Sequence, residues 1–566
     1  MNYINIYFFT ILISFSIIGY GSFLLKIIDK NLLKINLGYI GIIGLLSCTI
    51  ISYTTIFFVK HGYIHNIILH LIGVLLFFKF ISKNEISFNP KVFFITFSIL
   101  FIGLLILRNH DDFNYYHLTY SLGLTENKIF FGLGNLGHGY THHSSIFFLN
   151  SITYLPIIKH FLFHSIGWIT LFFINLIFIE KLLDKKNKIL NFEFYFYLLS
   201  FLFINFKFYR IGSYGSDLSG QIIILAIVPL IYELYKFTNI KKIDRSLLTL
   251  IILIITYTTT LKSFMILNFL FLFPLLYFSK IKNIKEIILP KTYIVSFAAL
   301  FLLIGINISY TGCAIYPVKQ TCFEKNISWS LSKDHVSKMN NWYQQWSKAG
   351  AGINYRVENP DEYIKKLNWL PNWYERYFLY KFKETLLGLL FLTILVFLIF
   401  YSNKKISNKK KFEHTSKKSF TILFSITLIL FFEWFLNHPA LRYGGYYLLA
   451  TILFLPLSYF LSYKKIKFQK KYYSIITLMI ISFILFNIKN IKRINEEIRI
   501  VKGNNFPLFY SPIQKYKEVN IGENIFVYVP INLQGCWAIK TPCIHTAQHV
   551  YGKKVGNYKV ILKKNN

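Results

Sequence analysis

The sequence predicts an all-α polytopic membrane protein with about fourteen transmembrane helices, a large outer loop and a small α+β module at its C-terminus. Apolar residues gather in runs of about 20, the length that a helix needs to cross a bilayer. Lysines concentrate in alternate connections between these runs, as expected for cytoplasmic loops. A soluble domain would instead distribute its apolar residues in amphipathic periods.

The predicted spans follow one another along most of the chain. They cover residues 3–25, 36–59, 63–82, 92–108, 160–180, 189–206, 218–236, 246–261, 263–279, 292–310, 384–401, 419–436, 445–462 and 472–488. The first has neither a basic n-region nor a small-residue cleavage site, so we expect a retained span. Residues 246–279 are predicted to turn near Lys262, and the short apolar stretch 146–158 is interpreted as an interfacial or re-entrant helix.

Charge asymmetry predicts the orientation. One set of short loops holds 30 Lys and Arg residues, and the alternate set holds eight. The positive-inside rule makes the first set cytoplasmic. The N-terminus, the loops 109–159 and 311–383 and the tail after residue 488 are therefore predicted to lie outside.

The high net charge of +37 does not indicate nucleic-acid binding, because no basic stripe or aromatic-basic module accompanies it. The chain divides into four N-terminal transmembrane helices (1–108), an acidic outer loop with interfacial helices (109–159), further transmembrane helices (160–310), a large outer loop (311–383), transmembrane helices (384–488) and a periplasmic C-terminal module (489–566).

Four of the five cysteines form close pairs in the two largest outer segments, Cys313/Cys322 and Cys536/Cys543, while Cys48 lies inside a span. An oxidising periplasm turns such pairs into disulfides, which favours a bacterial inner membrane with these segments on its periplasmic face. A shared zinc site stays open, although its usual C-x₂₋₄-C spacing is absent. Three basic residues argue against an outer position for the tail, because they directly follow the last span as cytoplasmic residues would. They are Lys489, Lys492 and Arg493.

Polar side chains with varied chemistry collect on the predicted outer face. The candidates are Asp111 and Asp112 for catalysis, and Tyr115, His117, Asn135, His138, His142, His143, Arg210, Asp217, Lys262, His438 and Arg442 for substrate binding. Ionisable groups so close to hydrocarbon are costly and tend to be functional. Five of the eight tryptophans lie in the loop 311–383, which we predict to cover the site.

The adjacent carboxylates Asp111 and Asp112 follow the fourth span. Two such groups can divide labour, one as a general base and the other as a metal ligand or orienting acceptor. A solvated pair that caps the next helix is the alternative. The sequence is therefore compatible with a divalent metal, Mg²⁺ or Mn²⁺, at this pair of carboxylates.

The candidate cations and the carboxylate of Asp217 also have two interpretations each. Arg442 could hold a phosphate bidentately or could anchor the chain among lipid headgroups. Arg210 and Lys262 share the anchoring alternative. Asp217 opens a predicted helix, where a cap is the simpler role. His142 and His143 are adjacent and would point apart on a helix, so they could not easily bind one metal.

The stretch Asp111–Tyr115, followed by Gly132–Asn135, Thr141–Ser145 and the apolar Ile146–Asn150, resembles the acidic outer loop of the GT-C superfamily of integral-membrane glycosyltransferases. That resemblance implies a GT-C-like fold. It also implies that Asp111 or Asp112 is the catalytic carboxylate and that His142–Ser145 contacts a lipid phosphate.

The chain is also similar to uncharacterised bacterial polytopic proteins associated with lipopolysaccharide and O-antigen functions. The similarity lies in the acidic loop and in Gly215-Ser216-Asp217, Leu261-Lys262-Ser263, Gly312-Cys313 through Thr321-Cys322, Leu441-Arg442-Tyr443-Gly444-Gly445 and Gln534-Gly535-Cys536-Trp537 through Thr541-Pro542-Cys543. It implies a role with surface polysaccharide and no particular activity.

We therefore expect a glycosyltransferase that moves a sugar from a polyprenyl-phosphate carrier to a surface glycan or lipid acceptor on the periplasmic face, in contact with membrane lipids. An O-antigen polymerase or ligase is one alternative. A lipid-linked glycan flippase or transporter is another, although transporters usually place ionisable groups at mid-membrane and contain internal repeats.

Overall fold

The computed structural model describes residues 3–106, 112–184, 189–213, 215–236, 244–278, 289–352, 354–401, 413–501, 514–531, 535–545 and 549–564. Their α-helices are α1 Tyr3–Ile28, α2 Leu37–Thr55, α3 Tyr63–Ser82, α4 Pro90–Leu100, α5 Leu118–Glu126, α6 Ser145–Ile152, α7 Ser165–Leu183, α8 Phe192–Lys207, α9 Gly215–Lys236, α10 Arg245–Leu261, α11 Phe273–Phe278, α12 Pro290–Thr311, α13 Lys333–Ser347, α14 Pro360–Tyr363, α15 Leu370–Trp373, α16 Lys383–Phe400, α17 Glu413–Asn437, α18 Gly445–Ser462 and α19 Phe468–Val501.

Short 3₁₀ and π helices connect these elements, and the described residues also form six short strands. The strands are β1 Ala351–Gly352, β2 Tyr355–Arg356, β3 Tyr516–Asn520, β4 Phe526–Pro530, β5 Val550–Val555 and β6 Tyr558–Lys563. They pair as three antiparallel two-stranded sheets in sequence order. The predominantly helical membrane fold is confirmed, and the predicted strand at 525–529 corresponds to β4.

Within the described residues, ten helices are long and apolar enough to cross a membrane. They are Tyr3–Ile28, Leu37–Thr55, Tyr63–Ser82, Ser165–Leu183, Ser216–Lys236, Pro290–Thr311, Leu370–Phe400, Lys417–Asn437, Gly445–Ser462 and Phe468–Arg499. The other four predicted spans coincide with shorter helices, namely Pro90–Leu104, Phe192–Lys207, Arg245–Leu261 and Ser263–Leu275. A multi-pass protein is therefore shown, and the count of fourteen crossings stays a prediction.

Side-chain caps start several of the helices. Asn89, Asn191 and Asp244 each accept a backbone N–H from the first turn of α4, α8 and α10, and Pro90 supplies a preset φ to α4. These caps satisfy N–H groups that have no partner inside the helix. Short polar connections can therefore separate long apolar helices.

The first three helices pack without space for side chains at their crossings. A Cβ on Gly19 would lie 1.9 Å from the carbonyl oxygen of Gly73, and one on Gly21 would lie 2.0 Å from that of Ile40. Small residues permit such close backbone contact where the hydrophobic effect cannot drive helices together. Glycines at the crossings therefore allow the backbones of α1, α2 and α3 to approach each other closely.

The predicted turn at Lys262 is confirmed. Helix α10 ends at Leu261, Lys262 is extended with φ −153° and ψ 122°, and a 3₁₀ helix then runs over Ser263–Leu272. The predicted interfacial helix at 146–158 corresponds to α6, a short buried helix packed against α2, α5 and α7.

The outer segments meet at one end of the bundle. Asn135 of the acidic loop donates to the carbonyls of Trp329 in the large loop and Ile561 in the C-terminal module, at 3.0 and 3.1 Å. The N–H of Ile561 donates to the carbonyl of Phe131 at 2.8 Å. The loops predicted to share a face therefore do share one.

Both predicted disulfides, Cys313–Cys322 and Cys536–Cys543, are present, and Cys48 is free and buried. This bonding leaves no thiolate in either pair for a shared zinc site. One of the three basic residues after the last span is buried, because α19 continues to Val501 and encloses Arg493. Its guanidinium donates to Glu497 at 2.9 Å and to the carbonyl of Leu105 at 2.6 Å. Arg493 is thus paired inside the fold, and it need not mark a cytoplasmic loop.

Candidate functional site

Asp217 is the centre of an ionic cluster. It lies in the first turn of α9, and only 3% of its side chain is exposed. One carboxylate oxygen is 2.7 Å from Nζ of Lys262, and the other accepts from Nε and Nη2 of Arg442, each at 2.7 Å. Two cations from distant segments therefore share one buried carboxylate.

Arg442 is held by its backbone as well. It lies in a 3₁₀ turn, Leu441–Tyr443, between α17 and α18, and its carbonyl accepts from Nε2 of Gln221 at 2.8 Å. Gln221 follows Asp217 by one turn of α9, so a single helix face binds both ends of the arginine. Gly444 follows with φ +119°, a conformation that favours glycine and lets the chain enter α18.

Asp112 lies beside this cluster. Its Oδ2 is 3.6 Å from Nη2 of Arg442, and about a third of its side chain is exposed. It immediately precedes a π-helical turn, Phe113–His117, a conformation that is frequent at functional sites. Asp111 lies outside the described residues, so Asp112 is the acid whose geometry can be assessed.

A cavity of about 310 Å³ lies beside the cluster, and Lys262 and Tyr443 line it. The ring of Tyr443 is 5.8 Å from Lys262 Nζ and 5.4 Å from the Arg442 guanidinium carbon. Apolar side chains from four helices and one loop also line the cavity, namely Leu267, Leu303, Ile315, Val318, Leu430 and Leu448. The cavity wall thus combines charged groups, Lys262 and Glu433, with apolar ones.

Residues of the large loop contribute to the wall of this cavity. Tyr316, Pro317, Val318, Asn340 and Tyr343 all line it. The first three lie within the ring that Cys313–Cys322 closes. The disulfide therefore shapes part of the cavity wall.

Burial lowers the pKa of four histidines of the site. Burial, with Lys262 nearby, holds the pKa of His142 well below its ordinary value. Burial lowers the pKa of His143 to about 3 and that of His438 to about 4. Burial also lowers the pKa of His138, although Asp112 opposes the shift. The positive charge of the cluster therefore comes from Arg442 and Lys262.

His142 and His143 have different neighbours, as predicted for adjacent residues. The ring of His142 lies 5.1 Å from that of Tyr343, whereas Nδ1 of His143 is 3.1 Å from the hydroxyl of Tyr120. Nδ1 of His438 is 3.4 Å from Oγ of Ser347. All three histidines line the cavity.

Three further candidates lie around the cluster without joining it. The hydroxyl of Tyr115 is 3.4 Å from Nδ1 of His138, and His117 packs against Phe147 with ring centroids 5.1 Å apart. Asn135 binds the two backbone carbonyls that hold the outer segments together, so its contacts are structural.

Arg210 lies apart from the cluster. Its Nη2 is 3.4 Å from a carboxylate oxygen of Glu497 in α19, which also binds Arg493. The structure therefore unites Asp112, Asp217, Lys262 and Arg442 and leaves Arg210 in a second ionic group.

Sequence reasoning missed one contributor. Asp217 is predicted to be a helix cap or a binding residue, and its carboxylate binds two cations. Trp346, one of the five tryptophans of the large loop, lies 5.4 Å from the Arg442 guanidinium carbon. Gln221 is not among the predicted candidates. One signal was available for Gln221, since a polar residue four positions after an acid lies on the same helix face.

The described residues of the cluster do not suit a divalent metal. Both oxygens of Asp217 are bound to cations, which leaves Asp112 as the other carboxylate close to the cluster in the described ranges. Two fixed positive charges beside it would repel Mg²⁺ or Mn²⁺. Across the same ranges, no group of three or more His, Cys, Asp and Glu side chains could hold a metal ion.

Residues 1–449 match a family described as a domain of unknown function, DUF8201. The chain belongs to this family. The DUF8201 match spans Asp112, Asp217, Lys262 and Arg442 and ends inside α18, so the C-terminal module lies beyond it. No curated protein and no solved structure matches the chain significantly.

Proposed function

We propose that the chain is a membrane glycosyltransferase that moves a sugar from a polyprenyl-phosphate carrier to a glycan or lipid acceptor on the periplasmic face. One observation carries the proposal. Lys262 and Arg442 share a single buried carboxylate beside Asp112, and Lys262 lines a cavity that apolar side chains also line.

Of the four charged groups of the cluster, Lys262 lines the cavity. Arg442 and Lys262 supply two positive charges, and Asp217 and Asp112 supply two negative charges, so the four groups together are neutral and the cation is the one that faces the cavity. Charges with restricted access to water interact strongly, and guanidinium groups match the geometry of phosphate oxygens. A phosphate is therefore a suitable ligand where Lys262 meets the cavity.

The apolar part of the cavity suits the chain of a lipid carrier. Its wall includes Leu303 of α12, Leu430 of α17 and Leu448 of α18. The 3₁₀ helix Ser263–Leu272 contributes Leu267 and leaves Ile266 and Leu270 exposed by 48% and 40%. A carrier with its phosphate at Lys262 would thus have apolar surface available for its hydrocarbon.

The proposed reaction assigns one role to each charged group. The acceptor oxygen attacks the anomeric carbon, and its proton passes to the carboxylate of Asp112. The bond between that carbon and the phosphate oxygen breaks, and its electron pair stays on the departing polyprenyl phosphate. Arg442 and Lys262 stabilise that negative charge, while Asp217 keeps both cations in position.

The position of the charges favours transfer chemistry over transport. Asp217 is in the first turn of α9, and Arg442 lies between two helices. Transporters characteristically place such groups near the bilayer midplane, in interrupted helices. A polymerase or ligase would use the same chemistry with a longer glycan on the carrier.

The experiment is a transfer assay with purified protein and a panel of radiolabelled polyprenyl-phosphate-linked sugars. We expect one member to lose its label to an acceptor and release polyprenyl phosphate. Asp112→Asn should abolish that release, and Arg210→Lys, which alters the separate ionic group, should retain it. The transferase proposal is wrong if the wild-type protein releases polyprenyl phosphate from none of these sugars but moves an intact lipid-linked glycan across a vesicle membrane.

A further inference from the structure

We infer that the C-terminal module, which lies beyond the family match, positions the turn that carries Asp112. Two segments take part. The acidic turn is residues 112–117, and the clamp loop is residues 535–545, which contain the disulfide Cys536–Cys543. The kinetic consequence of this inference rests on the proposed function, whereas its structural part does not.

The clamp loop binds the acidic turn directly through its backbone. The N–H of Trp537 donates to the carbonyl of Asn114 at 3.0 Å, two residues after Asp112. Gly535 has φ +94°, and a Cβ there would lie 3.2 Å from the side-chain nitrogen and the carbonyl oxygen of Asn114. The positive φ and this close approach both favour glycine at position 535.

A ring contact adds a second attachment to the acidic turn. The imidazole of His545 stacks on the ring of Tyr115, with centroids 5.1 Å apart and planes at 13°. Tyr115 in turn lies 5.3 Å from the ring of His138. The acidic turn is thus held between the clamp loop and the 3₁₀ turn that precedes His142.

Further contacts fix the rest of the acidic loop. The hydroxyl of Tyr140 donates to the carbonyl of Cys543 at 2.9 Å and accepts from its N–H at 3.1 Å. The N–H and hydroxyl of Thr541 donate to a carboxylate oxygen of Glu126 at 3.0 and 2.6 Å. The clamp loop therefore contacts the acidic loop at Asn114, Glu126 and Tyr140, near its start and around its middle.

The disulfide Cys536–Cys543 holds in one closed ring the residues that make several of these contacts. Trp537 and Thr541 lie inside the ring that Cys536 and Cys543 close, and Gly535 is adjacent to it. Backbone hydrogen bonds of Pro542 and Ile544 with Tyr528 fasten the ring to β4, both at 3.0 Å. An open loop would lose conformational entropy on docking that the closed ring has already lost. Reduction should consequently loosen the acidic turn while the helix bundle stays folded.

Two glycines of the module provide a matched test. Gly535→Ala and Gly556→Ala both place a side chain at positive φ, but a Cβ at Gly556 meets no atom within 4 Å. Hydrogen–deuterium exchange of the full-length protein in detergent should show amides of 113–117 exchanging roughly 2–10-fold faster in Gly535→Ala, the equivalent of one backbone hydrogen bond. Gly556→Ala should match wild type.

The disulfides provide a second matched pair. The double variant Cys536→Ser/Cys543→Ser should accelerate exchange in the acidic turn as Gly535→Ala does, whereas Cys313→Ser/Cys322→Ser should leave that turn unchanged. Equal exchange in wild type and Gly535→Ala would overturn the inference. So would faster exchange in Gly535→Ala and Gly556→Ala alike, because it would indicate general loosening of the module.

Kinetics separate this inference from the proposed function. With the carrier-linked sugar that wild type uses, Gly535→Ala should lower kcat and leave the donor KM unchanged, because the loop contacts the turn of the base and not Lys262. An unchanged kcat in Gly535→Ala would remove the positioning role. If wild type transfers no sugar at all, the proposed function fails, and the exchange experiment still decides whether the clamp loop holds the turn.

Discussion

Arg442 donates from Nε and Nη2 to one carboxylate oxygen of Asp217, each at 2.7 Å, across 225 residues of sequence. Lys262 holds the other oxygen of the same carboxylate at 2.7 Å. The three groups are not equivalent. Removing Lys262 or Arg442 leaves Asp217 with one cationic partner, whereas removing Asp217 takes the shared counter-charge from both cations. Stability and activity should therefore respond differently to changes at Asp217 and at Asp112.

Asp217→Asn should destabilise the protein. The change leaves Arg442 and Lys262 without their shared counter-charge, and loss of one partner from a buried ion pair costs about 3–5 kcal/mol. Thermal unfolding of the purified protein in detergent should show a clearly lower midpoint. Asp112→Asn is the control and should unfold near the wild-type temperature, since Asp112 is more exposed. Equal midpoints for Asp217→Asn and wild type would contradict the central role of this acid.

Asp112→Asn should instead impair transfer at normal protein levels. The amide cannot accept the proton, and general base catalysis is typically worth about 10²–10⁴-fold in rate. Surface glycan profiles should then be depleted. Asp111→Asn should be milder if that residue only orients the acceptor. Normal profiles in both single variants and in the double variant would end the glycosyltransferase assignment, because Asn caps a helix about as well as Asp.

Arg442→Lys tests whether a planar guanidinium is needed. Lysine keeps the charge but loses the two-pronged donor geometry that holds Asp217 and fits phosphate. Surface-glycan assembly should fall strongly. Arg210→Lys is the matched control, because Arg210 pairs with Glu497 outside the cluster. Unchanged assembly in Arg442→Lys would reduce this residue to an interfacial anchor.

Stability should decline in mild acid because of the buried histidines. Burial lowers the pKa of His438 to about 4, while the unfolded chain retains an ordinary pKa of about 6.5. Between those values only the unfolded state binds the proton, so the free energy of unfolding falls as the pH falls from about 6.5 towards 4. His438→Asn should therefore gain in unfolding midpoint, relative to wild type, on going from pH 7.5 to 5. A difference between the two proteins that is independent of pH would count against this burial.

Reporter fusions test the orientation of the site. A fusion at Lys405, between α16 and α17, should report the cytoplasm, because this connection is rich in lysine. A fusion at Asn566 should report the periplasm, since the C-terminal module packs against the acidic loop. A cytoplasmic signal at Asn566 would place the site and both disulfides on the cytoplasmic side and would contradict the predicted orientation.

The elements that could be predicted are those that depend on neighbouring residues. The extended break at Lys262 follows from an apolar segment too long for one span, and the strand β4 follows from a run of β-formers. The limits of such reasoning appear at α19, which continues to Val501 and buries Arg493. Arg493 pairs locally with Glu497, but it also donates to the carbonyl of Leu105, a contact far away in the chain that residue spacing does not encode.

The sequence by itself determined the membrane class, the grouping of outer loops and the cysteine pairs, because apolar length, lysine asymmetry and close spacing are local properties. It also predicted that polar side chains of separate loops lie at one face. Only the tertiary structure decided which charges meet. Arg210 and Arg442 are both single arginines at the ends of apolar runs, yet one binds Glu497 and the other Asp217. Helix packing makes that choice, because it sets distances between residues that no spacing along the chain encodes.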